Sequence, residues 1–304
     1  MPKSASDGES IDVLIQIAHG HSPIGEKVFQ TPLLAETENP VWMSFEHSAD
    51  CSRLRIGAVA DFEIRCGQQI SVWPAIGATQ KDIEIFLLGP VWATLCHQRG
   101  LLPLHASAIL ANGGITAFAG RSGAGKSTAA AMMGSLDYEL FADDILTVNF
   151  DQDAIPGAWP YLRRLKLPSD MIRQLGLTPT EPVSERLDKD KYFVQPKCAA
   201  DDKWSRLERL YLLEIDPADS GNSIARIVGA EAVRALIDQT YLRDFIEGSR
   251  RFNDHLALCT QLASKIAIYR LRRSSLLDKG EELGLLIRAH LENTRKFNTS
   301  LRRR

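Results

Sequence analysis

No stretch of this 304-residue chain is apolar over anything near the ~18–20 residues a membrane span needs, so no spanning helix is expected. Nor is there an excess of one charge. Lys and Arg number 36 against 38 Asp and Glu, a formal net charge of −2, and no global field calls for a nucleic-acid partner. Cysteine is sparse: Cys51, Cys66, Cys96, Cys198 and Cys259 are scattered, odd in number and form no C-x-x-C pair. That argues against a disulfide framework or a zinc knuckle and fits a reducing compartment. The first ten residues are polar with no apolar h-region, so no secretory signal is expected and the reading is a cytoplasmic, soluble protein. No internal repeat is visible. What is there suits a folded chain: 44% apolar and 24% charged residues suffice for a substantial core and exclude extensive disorder.

From residue 11 to about 71 short apolar runs are broken by Gly, Pro, Asn and Asp, and strands are expected at 13–17, 41–45, 54–56, 62–65 and 70–73. A helix over 80–98 follows, with Asp82 and Glu84 in its first turn. The texture then changes: a strand at 105–110, a turn at Asn112-Gly113-Gly114 and a second strand at 115–119. Beyond 151 come Pro156, Pro160 and Pro168, then a polar segment over 178–203 that reads as mobile loops. Strands at 209–215, 223–228 and 266–271 and helices at 231–247, 252–265 and 279–294 complete the pattern. The terminal Arg302-Arg303-Arg304 reads as a solvated tail.

The most informative residues are Gly120-Arg121-Ser122-Gly123-Ala124-Gly125-Lys126-Ser127, which match G-x-x-x-x-G-K-[ST] at every fixed position and are followed by Thr128. An apolar strand runs into the loop, and an alanine-rich helix start leaves it. Glycines let the loop's N–H groups converge on an anion, and the helix N-terminus adds partial positive charge. Lys126 then reaches the β- and γ-phosphates, and the Ser127 hydroxyl is a ligand for Mg²⁺. A nucleoside-triphosphate site is expected.

A short apolar strand over 138–142 ends in Asp143-Asp144. Ligands of open α/β sheets bind at the carboxyl ends of strands, so these acids can share an edge with the phosphates. Neighbours on a strand point to opposite sides, so one acid is read as holding Mg²⁺ and the other as facing the acceptor. A polar turn is the plainer reading of Asp-Asp taken alone. His105, in Leu104-His105-Ala106-Ser107-Ala108, is on pattern alone more often a core histidine than a catalytic one, and Ser107 carries no separate signal. Arg163, Arg164 and Lys166 are candidates for a phosphate or a peptide carboxylate, against a solvated basic loop, and Lys191 sits in an alternating-charge run that usually means exposure. Trp159, between Ala158 and Pro160, is the tryptophan best placed for an exposed binding loop.

The ordered set Leu104-His105-Ala106-Ser107, then 120–128, then Phe141-Ala142-Asp143-Asp144 resembles the catalytic domain of the HPr serine kinase/phosphorylase family. The resemblance is firm over roughly 100–150 and weaker through 206–214 and the C-terminal helices. It implies an α/β fold: a P-loop kinase domain of the HPr kinase type over 101–304, preceded by a smaller strand-rich domain over 1–100 for accessory or substrate-recognition duty. It also implies an ATP- and Mg²⁺-dependent serine kinase in which Asp143 accepts the hydroxyl proton, His105 tunes that acid, and Asp144 joins Ser127 around the metal.

The family's second motif, an acid leading into an Arg-Gly-rich strand, is absent after Asp144. This departure, with an N-terminal part unlike the usual regulatory domain, looks like the divergent branch encoded beside ribosomally made, modified peptides, lasso peptides included. That branch phosphorylates a serine of the precursor peptide. The alternatives are an HPr-directed kinase, a P-loop ATPase or switch, and a binding module without chemistry. No Leu-Ser-Gly-Gly-Gln-like or Asn-Lys-x-Asp motif supports a transporter-type ATPase or a guanine-specific switch. The expected partners are therefore a nucleoside triphosphate and a peptide or small-protein serine, with no nucleic acid and no membrane, and a homo-oligomer stays open.

Overall fold

The computed structural model describes residues 12–20, 22, 29–34, 41–47, 50–184, 190–216, 221–243, 246, 251–274 and 280–301. The polar N-terminal tail and Arg302 to Arg304 lie outside them. The architecture is mixed α/β with several sheets, and the chain divides into two units. One comprises Met1–Leu101, Arg186–Asp188 and Asp244–Phe252; the other comprises Leu102–Glu185, Lys189–Arg243 and Asn253–Arg304.

In the first unit the short apolar runs become the strands of one six-stranded sheet. Strands β1 (Leu14–Ile17), β2 (Phe29–Leu34), β3 (Val41–His47), β4 (Cys51–Ile56), β5 (Ala60–Arg65) and β6 (Gln69–Pro74) lie in the order β1-β6-β5-β4-β3-β2. Among the described residues of this sheet only β1 and β6 pair in parallel. Along β4 every second residue is buried. Strand β2 was not expected from the sequence because it contains Pro32, and its edge position explains how the missing N–H is tolerated.

The single helix expected over 80–98 is broken. Helix α1 (Gln80–Phe86) starts from a capping box between Thr79 and Asp82. At Leu87–Val91 the winding widens, Gly89 leaves helical geometry at φ −105° and ψ −106°, and α2 (Trp92–Gln98) resumes after Pro90. Pro90 has no N–H to give and its ring crowds the preceding turn, the usual cause of such a kink. The Gln98 amide then ties the helix to the sheet, donating to the Ile64 carbonyl and Ser52 Oγ and accepting from the Gly67 N–H.

The second unit contains β7 (Leu102–Leu104), β8 (Ala106–Ala111), β9 (Gly114–Gly120), α3 (Lys126–Ser135), β10 (Glu139–Ala142), β11 (Leu146–Phe150) and β12 (Pro156–Ala158). It continues through β13 (Leu165–Pro168), α4 (Ser169–Gln174), β14 (Pro179–Pro182), β15 (Lys191–Val194), β16 (Ser205–Ile215), β17 (Ser223–Ile227), α5 (Gly229–Asp238), α6 (Phe252–Lys265), β18 (Ala267–Arg273) and α7 (Gly280–Leu301). Its main sheet runs β10-β8-β9-β16-β12-β11-β7, with β18 beside β16 and β17 beside β18. Side chains alternate between two cores. Ile115, Ala117 and Ala119 of β9 meet α5 and α6 on one face, while Phe118 of β9 and Tyr211 and Leu213 of β16 meet α3 and α7 on the other.

The strand expected over 105–110 is present as β8, and His105 lies in the break between it and β7. The segment 178–203 is not loop throughout, since β14 and β15 form a three-stranded sheet with β13 in the order β13-β15-β14. The two prolines of β14 hid it, and they are accommodated because that strand is at the edge. The helix expected over 231–247 ends at Asp238. Among the described residues, no helix is long and apolar enough to cross a membrane.

Candidate active site

Strand β8 is antiparallel to both β9 and β10, so its start shares an edge with their ends. This topology gathers His105 before β8, the glycine-rich loop after β9 and Asp143-Asp144 after β10. Strand β18 runs parallel to β16, which runs parallel to β9, and so delivers Arg273 to the same edge. His105, Asp143, Asp144, Arg273 and part of the loop, without Gly120, Arg121 and Ala124, line one cavity of about 410 Å³, within the usual range for small-molecule sites.

The loop is built around two glycines that no other residue replaces. Gly120 has φ +154°, and a Cβ there would lie 2.8 Å from the Leu213 carbonyl oxygen. Gly125, at φ +95°, is the left-handed N-cap of α3. The first N–H groups of α3 have no earlier helical carbonyl to bond, which makes the loop a place for an anion. The Lys126 ammonium is buried and donates to the loop's own carbonyls, at 3.0 Å to Gly120 and 3.3 Å to Arg121. Burial pushes its pKa below the ordinary lysine value.

Asp143 is buried, and its Oδ1 accepts from Ser107 Oγ at 2.5 Å and from Ser127 Oγ at 2.8 Å, while its Oδ2 accepts the Lys166 N–H at 2.9 Å. Burial is the largest influence and raises its pKa, against the pull of those donors. Asp144 adopts φ +76°, a left-handed backbone uncommon for residues other than glycine. Its Oδ2 accepts from Lys166 Nζ at 2.7 Å, and its Oδ1 lies 3.6 Å from His105 Nε2, beyond a hydrogen bond. Burial opposes ionisation, but Lys166 and then His105 outweigh it and hold Asp144 at about 2. His105 is pushed down to about 4, by burial first and by Lys126 next, so its imidazole is neutral at neutral pH.

These contacts exchange two pairings implied by the family resemblance. Ser127 meets Asp143 rather than Asp144, and His105 faces Asp144 rather than Asp143. The reason is local: strand alternation does not govern the acids, because β10 ends at Ala142 and the left-handed turn at Asp144 sets where each carboxylate goes.

Among the described residues there is no cluster of three or more His, Cys, Asp or Glu side chains able to hold a metal. The hydroxyl and carboxylate of Ser127 and Asp143 nevertheless fit Mg²⁺, which uses one or two protein oxygens and fills its octahedron with water and phosphate oxygens.

Of the remaining candidates, Ser122, Gly123, Thr128, Lys166 and Lys191 line the cavity. Arg163 instead pairs with Asp202 at 2.8 Å and with the Ala200 carbonyl, and Arg164 lies over the Phe193 ring at 3.8 Å. Trp159 is 60% exposed. Sequence reasoning missed Ser107 and Arg273. The Arg273 Nε donates to the Ala124 carbonyl at 2.9 Å and braces the loop from outside. A serine inside an apolar strand was the available signal for Ser107; for Arg273 there was none short of the sheet order.

No protein-family model and no curated protein matches the chain. Among solved structures, the Hpr(Ser) kinase/phosphatase from Coxiella burnetii is similar at 9% identity with a TM-score of 0.32, over 66% of this chain and 96% of that one.

Proposed function

We propose that the protein is an ATP- and Mg²⁺-dependent kinase that phosphorylates a serine hydroxyl of a peptide or small protein. The observation that carries this reading is the division of labour between adjacent acids: Asp143 bonded to the Ser127 hydroxyl at the helix start, Asp144 held apart by Lys166 in the same cavity. A hydrolase needs a positioned water, whereas a transferase needs room and an orienting acceptor for a second substrate. The cavity has an apolar wall of Met132, Met171 and Leu283 that suits such a substrate.

In this reading the loop amides and Lys126 bind the β- and γ-phosphates, Lys126 leaving the loop carbonyls for phosphate oxygens. Ser127 and Asp143 would hold Mg²⁺, which would neutralise charge on the phosphate oxygens. Asp144 accepts a hydrogen bond from the serine hydroxyl and aims its oxygen in line with the γ-phosphorus. The new O–P bond forms as the bond to the β-phosphate bridging oxygen breaks, ADP leaves, and the hydroxyl proton passes to Asp144 and then to solvent. His105, neutral, lies beside Asp144 and is read as positioning it. This assignment keeps the residues implied by the resemblance and exchanges the roles of the two acids.

The resemblance to the modified-peptide branch supports a ribosomally made precursor peptide of the lasso type as acceptor, with the N-terminal unit as the part that recognises it. The test is direct. Purified protein is incubated with γ-labelled ATP, Mg²⁺ and serine-containing precursor peptides, and the label is followed. Label on a peptide serine, lost in Asp144→Asn, is the expected result. Release of free phosphate at the same rate with and without peptide, and no labelled peptide, makes the protein an ATPase instead.

A further inference from the structure

A second cavity, of about 510 Å³, lies at the opposite ends of the strands that carry the glycine-rich loop and Arg273. It opens between the starts of β16 and β18 and the end of β17, and among the described residues four cations line it, Arg206, Arg209, Arg226 and Lys265, against one carboxylate, Glu208. None of them takes part in the chemistry proposed above.

Arg209 is the informative one. It is 4% exposed, yet its guanidinium has one carboxylate partner, Glu208 Oε2 at 3.1 Å from Nη2, and its buried Nη1 has no hydrogen-bond partner among the described residues. Thr116, its register partner on β9, likewise buries an Oγ1 without a partner. A buried, under-compensated cation is costly, and such groups are normally paired. The field of this charge reaches its neighbours: burial, and after it Arg209, lower the His290 pKa. At the rim the Arg226 guanidinium is held in place, over the Tyr269 ring at 5.1 Å and bonded to the Ile266 carbonyl at 3.3 Å.

We infer that this cavity binds a phosphate group, either free inorganic phosphate or the phosphomonoester of a small molecule. Guanidinium pairs match phosphate oxygens in bidentate geometry, and a dianion here supplies the charge that Glu208 alone does not. The inference does not rest on the kinase reading, since it involves a different cavity at the other end of the sheet.

Because the glycine-rich loop also binds phosphate in the kinase reading, the test separates the two sites. Melting temperature is measured for Lys126→Ala and for the triple variant Lys126→Ala/Arg226→Gln/Lys265→Gln, in sodium phosphate, in glycerol 3-phosphate and in sodium chloride of matched ionic strength. Arg226 and Lys265 are exposed, so changing them avoids the folding risk of changing Arg209. A saturating ligand is expected to raise Tm by about 3–6 °C over chloride in Lys126→Ala, and much less in the triple variant. A rise with inorganic phosphate identifies the free ion, and a rise with glycerol 3-phosphate alone identifies the phosphomonoester. No rise over chloride in Lys126→Ala, or an undiminished rise in the triple variant, overturns the proposal.

Discussion

Asp143 and Asp144 share a peptide bond, yet one is shielded by two hydroxyls and an N–H and the other is clamped by an ammonium. Pushing the proton affinities of two adjacent acids in opposite directions is how a site assigns them separate tasks. Asp144→Asn is expected to lower kcat by roughly 10²–10⁴-fold, the ordinary worth of a positioned acid–base group, with the affinity for a non-hydrolysable ATP analogue unchanged by calorimetry. Asp143→Asn should instead raise the Mg²⁺ concentration needed for half-maximal rate, read from a metal titration. His105 provides a pH signature. Its folded pKa of about 4 lies below the ordinary 6.5, so the unfolded chain binds more protons between those values and stability rises with pH across that window. The contribution is present in full above 6.5 and is lost as pH falls through 4. His105→Gln should therefore show a shallower rise of Tm from pH 4 to 6.5 than the wild type, and parallel curves would refute the burial of a neutral imidazole.

At the scale of elements, sequence patterning located most strands and helices and failed where a proline or a long-range contact decided the outcome. Pro32 and Pro182 disguised two edge strands, and Pro90 broke a helix that the apolar period alone carried through. The approach of β12 to β16 is another case, invisible in the sequence. A Cβ on Gly157 would lie 2.2 Å from Trp204 Cζ2 and 2.5 Å from the Ser205 carbonyl oxygen. Trp204 cannot swing away without giving up its 3.0 Å bond from Nε1 to Asn149. Gly157→Ala is expected to destabilise the fold by about 1–3 kcal/mol, the range for an overpacked site, measurable by urea denaturation. An unchanged midpoint would mean that the contact relaxes freely.

For the whole molecule, binding and stability are linked, because a ligand taken up only by the folded state adds to its stability. At 100 times its Kd, a Mg²⁺-bound ATP analogue should contribute about 2.7 kcal/mol, or a Tm rise of about 5–10 °C in a unit of this size. The rise should vanish in Lys126→Ala and shrink without Mg²⁺. Calorimetry with and without the analogue checks this, and an equal rise in Lys126→Ala would remove the glycine-rich loop from nucleotide binding.

The strand, loop and helix from Gly114 to Ser135 were legible in the sequence because they rest on neighbouring residues: a short apolar run, glycines at positive φ, and alanines that favour helix. The same holds for the two acids at a strand end and for their nearness to the loop. Which acid meets Ser127, which faces His105, and that Lys166 and Arg273 come to the site at all were decided by the tertiary structure. Those meetings depend on strand direction, on register between segments far apart in the chain, and on one backbone turn at Asp144, none of which local patterning encodes.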